Sequence, residues 1–154
     1  MENSVSEVQF RRAREADVAA IVAMLADDVL GATRESPDDL SPYLAAFKDI
    51  EADPNQYLVV ADREGEVVGT MQLTFLPGLS RKGATRAQIE GVRVRGTERG
   101  TGLGSQLMTW AVDQARSRGC TVVQLTSDTA RTDAHRFYEQ LGFTASHLGF
   151  KLAL

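Results

Sequence analysis

The sequence predicts an α/β domain, and three observations support this. Two amphipathic helical segments lie in the first third of the chain, and two β-rich segments joined by a turn follow them. A strand, a helix and another strand then succeed one another between residues 87 and 126, an order that favours a right-handed parallel crossover. No repeat or linker interrupts the 154 residues, so we expect one domain over residues 1–154.

The first third of the chain predicts a short strand and two helices. Alternation over residues 8–12 predicts the strand. Apolar residues three and four apart predict a helix that ends near Gly31, with Val18, Ile21, Val22, Leu25 and Val29 on its inner face. Ser41 and Pro42 predict the cap and first residue of a second helix. Its inner side carries Tyr43, Leu44, Phe47 and Ile50.

The middle of the chain predicts most of the sheet. Residues 57–61 and 67–75 are rich in β-branched and aromatic side chains, and residues 62–65 between them supply a hairpin turn. These two strands should be antiparallel neighbours. After a loop that contains Pro77 and Gly78, residues 87–94 predict the next strand.

The last third predicts alternating helices and strands. An amphipathic helix that ends near Gly119 has an inner stripe of Leu103, Leu107, Trp110, Ala111 and Ala115. Residues 121–126 predict a strand, residues 133–141 a shorter helix, and residues 143–152 contain a predicted final strand.

Composition limits the classes of function. The net charge of -4 does not favour nucleic acid as a partner, and no apolar run approaches the roughly 20 residues of a membrane helix. The polar residues 1–4 do not begin a secretory signal, so we expect a cytoplasmic protein. Cys120, His135 and His147 lack the spacing of metal ligands, so no metal is expected.

The most informative segment is residues 99–104, a glycine-rich turn between a predicted strand and a predicted helix. Glycine permits close approach of the backbone, and the first N–H groups of a helix can bind phosphate. A Walker loop requires lysine after its last glycine, but Ser105 and Gln106 follow Gly104. The third glycine also stands one place too early for a dinucleotide-binding fingerprint.

The whole arrangement resembles the GCN5-related N-acetyltransferase (GNAT) superfamily. Arg99, Gly102 and Gly104 fit its acetyl-coenzyme A motif Q/R-x-x-G-x-G/A, and residues 137–143 are similar to its fourth-helix signature. The order of elements matches over residues 8–150. The resemblance implies a mixed, mainly antiparallel sheet flanked by helices, with a splayed central strand pair that admits acetyl-coenzyme A.

The resemblance also implies which residues bind the cofactor. The strand backbone at residues 92–94 would bond the pantetheine arm, and the amides of residues 100–105 would receive the pyrophosphate. Arg131 stands where many relatives have asparagine, and it is either a phosphate ligand or an exposed arginine at a helix start. The expected cofactor-binding set is Val92, Arg93, Val94, Arg99, Gly100, Thr101, Gly102, Leu103, Gly104, Ser105 and Arg131.

Two residues are candidates for proton transfer. Glu90 shares strand parity with Val92 and Val94 and is a candidate base for the acceptor amine; the alternative is a structural carboxylate or a water relay. Tyr138 matches the common general acid of the resembled family and would protonate the leaving thiolate; the alternative is an aromatic core residue.

The resemblance therefore implies direct acetyl transfer to a primary amine of a small molecule or peptide. Glu35, Asp38 and Asp39 are candidates to attract a cationic amine, and Arg81 and Lys82 could favour an acidic substrate or the 3′-phosphate of coenzyme A. The alternatives are a noncatalytic acyl-coenzyme A sensor and transfer of a longer acyl group. Homodimers are common in such proteins, and the sequence does not indicate an interface.

Overall fold

The structure, a computed structural model, describes residues 7–154. The polar residues 1–4, on which the expectation about secretion rests, lie outside the described part. The chain divides into two compact units, one ending at Gln124 and one spanning Leu125–Leu154. One domain over residues 1–154 stays a prediction.

A five-stranded sheet has its strands in chain order, β1-β2-β3-β4-β5. The strands are β1 (Gln9–Arg12), β2 (Gln56–Arg63), β3 (Glu66–Pro77), β4 (Thr85–Val94) and β5 (Val122–Leu125). The first four are antiparallel neighbours, which confirms the predicted hairpin. Beside β4, the N–H of Thr121 donates to the carbonyl of Thr85 at 3.0 Å and the Gln124 side chain reaches Gln88. Residue numbers rise together along both segments, as in the predicted parallel pair.

Within residues 7–154, six α-helical segments accompany these strands. They are α1 (Val18–Ala26), α2 (Gly31–Arg34), α3 (Ser41–Ala52), α4 (Ser80–Gly83), α5 (Leu103–Ser117) and α6 (Thr132–Gln140). The short α4 is an irregular turn, because two of its residues, Arg81 and Lys82, have positive φ. The mixed α/β fold with a mainly antiparallel sheet is therefore confirmed.

One face of the sheet packs against α1 and α3. Ile21 and Met24 of α1 pack with Val60 of β2. Val18 and Val22, also of α1, pack with Phe47. The α3 residue of this core is Phe47, which is buried. Because the buried residues of α1 recur at helical spacing, the amphipathic pattern predicted this contact.

The other face packs against α5. Leu107 lies over Gly69 of β3, where an added Cβ would approach the Leu107 side chain to 3.2 Å, so glycine permits the close contact. Trp110 contacts the rings of Phe10 and Tyr57, with centroids 6.1 and 5.0 Å away. The predicted inner stripe of this helix is confirmed.

Two predicted element boundaries are wrong. The first helix ends at Ala26, and Val29 is 87% exposed. Gly31 begins α2 instead of ending α1, because its N–H donates to the Asp28 carboxylate. Ser41 is the first residue of α3 and is not its cap; the Asp39 carboxylate accepts its N–H and hydroxyl.

The predicted final strand within residues 143–152 is also wrong. The structure describes these residues without strand or helix. Alternating apolar side chains form a strand only where the backbone pairs with an edge, and no ladder is formed in this described segment.

Candidate functional site

The glycine-rich segment connects β4 to α5 through a 3₁₀ turn, Gly96–Glu98. Gly100 and Gly102 have φ of +80° and +84°, backbone conformations that residues with a Cβ rarely adopt. Gly102 is the residue immediately before α5, and its carbonyl accepts the N–H of Gln106 at 3.1 Å. The glycines thus turn the chain directly from the sheet into the helix.

The turn presents a row of N–H groups at the start of α5. Within residues 7–154, no group accepts a hydrogen bond from the N–H of Gly102, Leu103, Gly104 or Ser105, and no side chain caps this helix. An added Cβ at Gly100 or Gly102 would meet nothing within 4 Å, so the surface beside these amides is open. Unsatisfied amides with the positive end of a helix dipole form an anion site.

A part-buried ion pair connects this segment to the neighbouring hairpin. The Arg63 guanidinium donates twice to the Glu98 carboxylate, from Nε to Oε1 and from Nη2 to Oε2, both at 3.0 Å. Their side chains are only 19% and 12% exposed. The Thr101 hydroxyl donates to the Glu98 carbonyl at 2.6 Å. No local sequence pattern indicates this arrangement, which we call the Arg63–Glu98 clamp, because the two residues lie 35 positions apart.

The strand that leads into the turn contains a bulge. Glu90 lies opposite Gln72 and Arg93 opposite Thr70, so two β4 residues, at positions 91 and 92, face one residue of β3. Gly91 has φ of +64°, as expected for a bulge that begins with glycine. The glycine within a strand pattern was the available sequence signal.

The bulge corrects the expected strand parity. Directly opposite residues in an antiparallel pair share a face, so Glu90 shares its face with Gln72, Thr70 and Arg93. Val94 lies opposite Gly69, and therefore on the other face of the sheet, where Leu107 of α5 packs. Glu90 is exposed, and its role as a base stays a prediction.

Arg93 connects the bulged strand to the loop after α1. One of its guanidinium nitrogens lies 3.3 Å from the Asp28 carboxylate, and another donates to the Val92 carbonyl at 2.8 Å. The same Asp28 side chain accepts the N–H of Gly31. This loop is therefore held against β4 by charge, a contact that no local sequence pattern indicates.

Tyr138 and Arg131 belong to the second unit. Tyr138 is half-buried on α6, and its ring contacts those of Phe137 and Phe143, with centroids 5.3 and 6.1 Å away. After the helix, the Phe143 N–H donates to the Tyr138 carbonyl at 3.1 Å and Gly142 has φ of +97°. This glycine-terminated helix end holds the Phe143 ring beside Tyr138. Arg131 is the residue before α6, and its carbonyl accepts the N–H of His135 at 3.1 Å.

Two of the acidic residues considered for amine attraction, Glu35 and Asp39, have local structural partners. The Tyr43 hydroxyl donates to Glu35 at 3.0 Å, and the Asp39 carboxylate binds Ser41. The hydrogen bonds from Ser41 lower the pKa of Asp39. Asp38 is exposed. These contacts favour a role in ordering the start of α3.

The remaining features do not add to the site. A cavity of about 250 Å³ lies between α3 and the start of β2, lined by Phe47 and Leu58 among others, and none of the predicted site residues lines it. Burial raises the pKa of the Cys120 thiol, which does not favour a nucleophilic thiolate. Residues 7–154 contain no cluster suited to a metal ion, and no helix among them is long and apolar enough to cross a membrane.

The fold is a mixed α/β domain with open amides at the glycine-rich turn, and comparison with known proteins supplies its class and family. The family model described as "Acetyltransferase (GNAT) family" matches residues 19–143. The chain belongs to this family, whose members use acetyl-coenzyme A, and it is an acetyl-transferring enzyme.

Two curated relatives carry named activities. The aminoalkylphosphonate N-acetyltransferase of Salmonella typhimurium is 38% identical over 113 residues, covering 71% of this chain and 73% of the relative. The L-methionine sulfoximine/L-methionine sulfone acetyltransferase of Pseudomonas aeruginosa is 30% identical over 140 residues, covering 88% and 80%.

Solved structures are similar over nearly the whole chain. A Bacillus halodurans C-125 protein described as a transcriptional regulator is 50% identical, with a TM-score of 0.91 over 96% of this chain and 100% of that one. An acetyltransferase of Trypanosoma brucei is 28% identical, with a TM-score of 0.79 over 96% and 100%. A homodimeric state and a cytoplasmic location stay predictions.

Proposed function

We propose that this enzyme transfers an acetyl group from acetyl-coenzyme A directly to a primary amine of a small molecule or peptide. The observation that carries the proposal is the row of unpartnered N–H groups from Gly102 to Ser105 at the open start of α5. Such a row suits a pyrophosphate, and the family membership suits coenzyme A.

The residues around this row fit the cofactor. The backbone of residues 100–105 would hold the pyrophosphate, with Arg99 adding an exposed positive charge beside it. The strand backbone of Val92, Arg93 and Val94 would bond the pantetheine arm, and Arg131 is a candidate phosphate ligand. When bound, the cofactor supplies an acetyl group activated as a thioester.

Two side chains would move the protons. The Glu90 carboxylate accepts the proton that the acceptor amine must lose before its lone pair can attack, directly or through one water molecule. Its exposure allows an acceptor to reach it. The Tyr138 phenol donates a proton to the departing sulfur, and the Phe137 and Phe143 rings support its orientation. From ammonium to amide the nitrogen loses two protons: Glu90 takes the first before attack, and the second, lost after attack, balances the one that Tyr138 gives to the thiolate.

Regulation is the second candidate function. The observation that favours it is the description of the 50% identical Bacillus halodurans protein as a transcriptional regulator. A sensor would use the same anion site to bind an acyl-coenzyme A and would not need Tyr138 as an acid. Transfer of a longer acyl group is a further alternative.

Thiol release from acetyl-coenzyme A, measured across a panel of small amines, peptides and aminoglycosides, tests the proposal. Tyr138→Phe should lower amine-dependent release by about 100-fold, because general acid catalysis is removed, while coenzyme A binding stays within about twofold. Tyr57→Phe is the matched control, because that half-buried ring packs against Trp110 of α5. Full turnover by Tyr138→Phe would overturn the acid assignment, and no release with any acceptor would favour the sensor.

A further inference from the structure

One face of the sheet carries a row of polar side chains beside Glu90. Across β3 and β4, Gln72 lies opposite Glu90 and Thr74 opposite Gln88. Gln72 and Thr74 donate to the Gln56 side chain at 2.8 and 2.9 Å. Toward the β1 edge this face is covered by α1 and α3 through Leu58 and Val60, whereas here it is polar and half-exposed.

The hydrogen bonds at the edge of this row have a defined direction. The Arg86 guanidinium donates to Gln124 Oε1 at 3.2 Å, and Gln124 Nε2 donates to Gln88 Oε1 at 3.1 Å. Arginine has no acceptor, so Gln124 must present its oxygen to Arg86 and its amide nitrogen to Gln88. Gln88 must then accept through its oxygen, which leaves its NH₂ group as a donor. Arg86 therefore orients a set of donors.

These hydrogen-bond donors lie next to the Glu90 carboxylate, which accepts hydrogen bonds. Gln88 and Glu90 are on the same face and two residues apart, which is about 7 Å along a strand. Arg86 precedes them on this face, is exposed, and its long side chain can lean along the strand. The face thus offers cationic and amide donors at one end and an anionic acceptor at the other, a spacing that suits a short zwitterion.

The positions of Gln88 and Glu90 on β4 relate them to the proposed reaction. The carboxyl end of β4 leads into the pyrophosphate turn, so the reacting end of the cofactor should lie back along the strand, toward Glu90. An amine near Glu90 would have its remaining atoms toward Gln88 and Arg86. The opposite direction is occupied by the Arg93–Asp28 ion pair.

We infer that Arg86, Gln88 and Gln124 form a subsite for the acid group of the acceptor, and that the acceptor is a small primary amine carrying a phosphonate or carboxylate. The inference rests on the proposed function. Arg86 supplies the charge, the two glutamines supply and orient the amide donors, and Glu90 receives the ammonium end. The subsite selects acidic amines over neutral amines of the same length.

Kinetics and binding with three matched amines test the subsite. The amines are 2-aminoethylphosphonate, β-alanine and 2-aminoethanol, which carry a phosphonate, a carboxylate and a neutral hydroxyl. Arg86→Gln should raise KM for the acidic amine that the wild type prefers at least tenfold more than KM for 2-aminoethanol. Arg86→Lys should recover part of this selectivity, because it restores the charge without the planar fork.

Arg116→Gln is the matched control, because it removes the same charge from an exposed site on α5. Calorimetric titration of each acidic amine into coenzyme A-saturated protein gives a readout that does not depend on turnover. If the wild type releases no thiol with any amine, the proposed function fails and titration still decides the subsite. The inference would be overturned if wild type and Arg86→Gln bound both acidic amines with equal affinity. It would also be overturned if Arg86→Gln raised KM by the same factor for all three amines.

Discussion

Breaking the Arg63–Glu98 clamp should loosen the glycine-rich turn of residues 99–104. Arg63→Met removes two charge-assisted hydrogen bonds of 3.0 Å and leaves the Glu98 carboxylate, 12% exposed, without that partner. Hydrogen bonds to charged groups contribute about 1.5–3 kcal/mol, so we expect the free energy of unfolding to fall by about 2 kcal/mol. At this chain length the unfolding midpoint should drop by about 6 °C.

The same change should weaken coenzyme A binding. A loosened turn must be ordered by the ligand, so we expect affinity to fall about tenfold, which corresponds to about 1.4 kcal/mol. Arg95→Met is the matched control, because Arg95 also pairs at 3.0 Å with a glutamate, Glu66, but their side chains are 46% and 72% exposed. An exposed pair contributes about 0–1 kcal/mol, and the Arg95 side chain bonds Glu66 of β3 and not a residue of the turn.

Thermal unfolding and calorimetric titration of coenzyme A check both expectations. Glu98→Gln and the double variant complete a cycle that isolates the coupling between Arg63 and Glu98 from the other contacts of each residue. We expect a coupling of about 1–2 kcal/mol in unfolding. The reasoning is refuted if Arg63→Met behaves like Arg95→Met in both measurements, or if the cycle gives no coupling.

Two further predictions concern the backbone and pH. Gly102→Ala should lower the free energy of unfolding by about 1 kcal/mol, because φ is +84° and the added methyl meets nothing within 4 Å. Gly102→Ala should also weaken coenzyme A binding about tenfold, because the methyl crowds the amides. Gly96→Ala, at a glycine in open space without positive φ, should change neither the stability nor the affinity. Equal calorimetric affinities of the two variants for coenzyme A would contradict this. Hydrogen bonds from Arg11, at 2.7 and 3.1 Å, lower the pKa of Asp17 below its ordinary 3.8, so this carboxylate stabilises the fold above that pH and its contribution is lost as the pH falls through the lowered pKa. Asp17→Asn should therefore cost about 2 kcal/mol at pH 7 and progressively less below about pH 4, as measured by urea unfolding; a cost that does not vary with pH would contradict the pairing.

Local patterns predicted most of the fold. The stripe from Leu103 to Ala115 recurs at helical spacing, and the hairpin has strand-forming residues on both sides of a turn, so short-range sequence is sufficient for both. Residues 143–152 show the limit of this reasoning, because alternation was present there and no strand formed. A strand depends on the edge that pairs with it, and that edge is distant in sequence.

The sequence by itself determined the class of protein and the glycine-rich turn, because the glycines, the helix start and the family motif of this turn are contiguous in the chain. Only the tertiary structure decided how the turn is braced and which way Glu90 faces. The clamp joins residues 35 positions apart, and the bulge at Gly91 reverses the parity that simple alternation predicts beyond Glu90. The donor chain from Arg86 to Gln88 likewise passes through Gln124, which reaches its neighbours only because β5 lies beside β4. Such contacts depend on the register of strands that are distant in the chain, and no local pattern encodes that register.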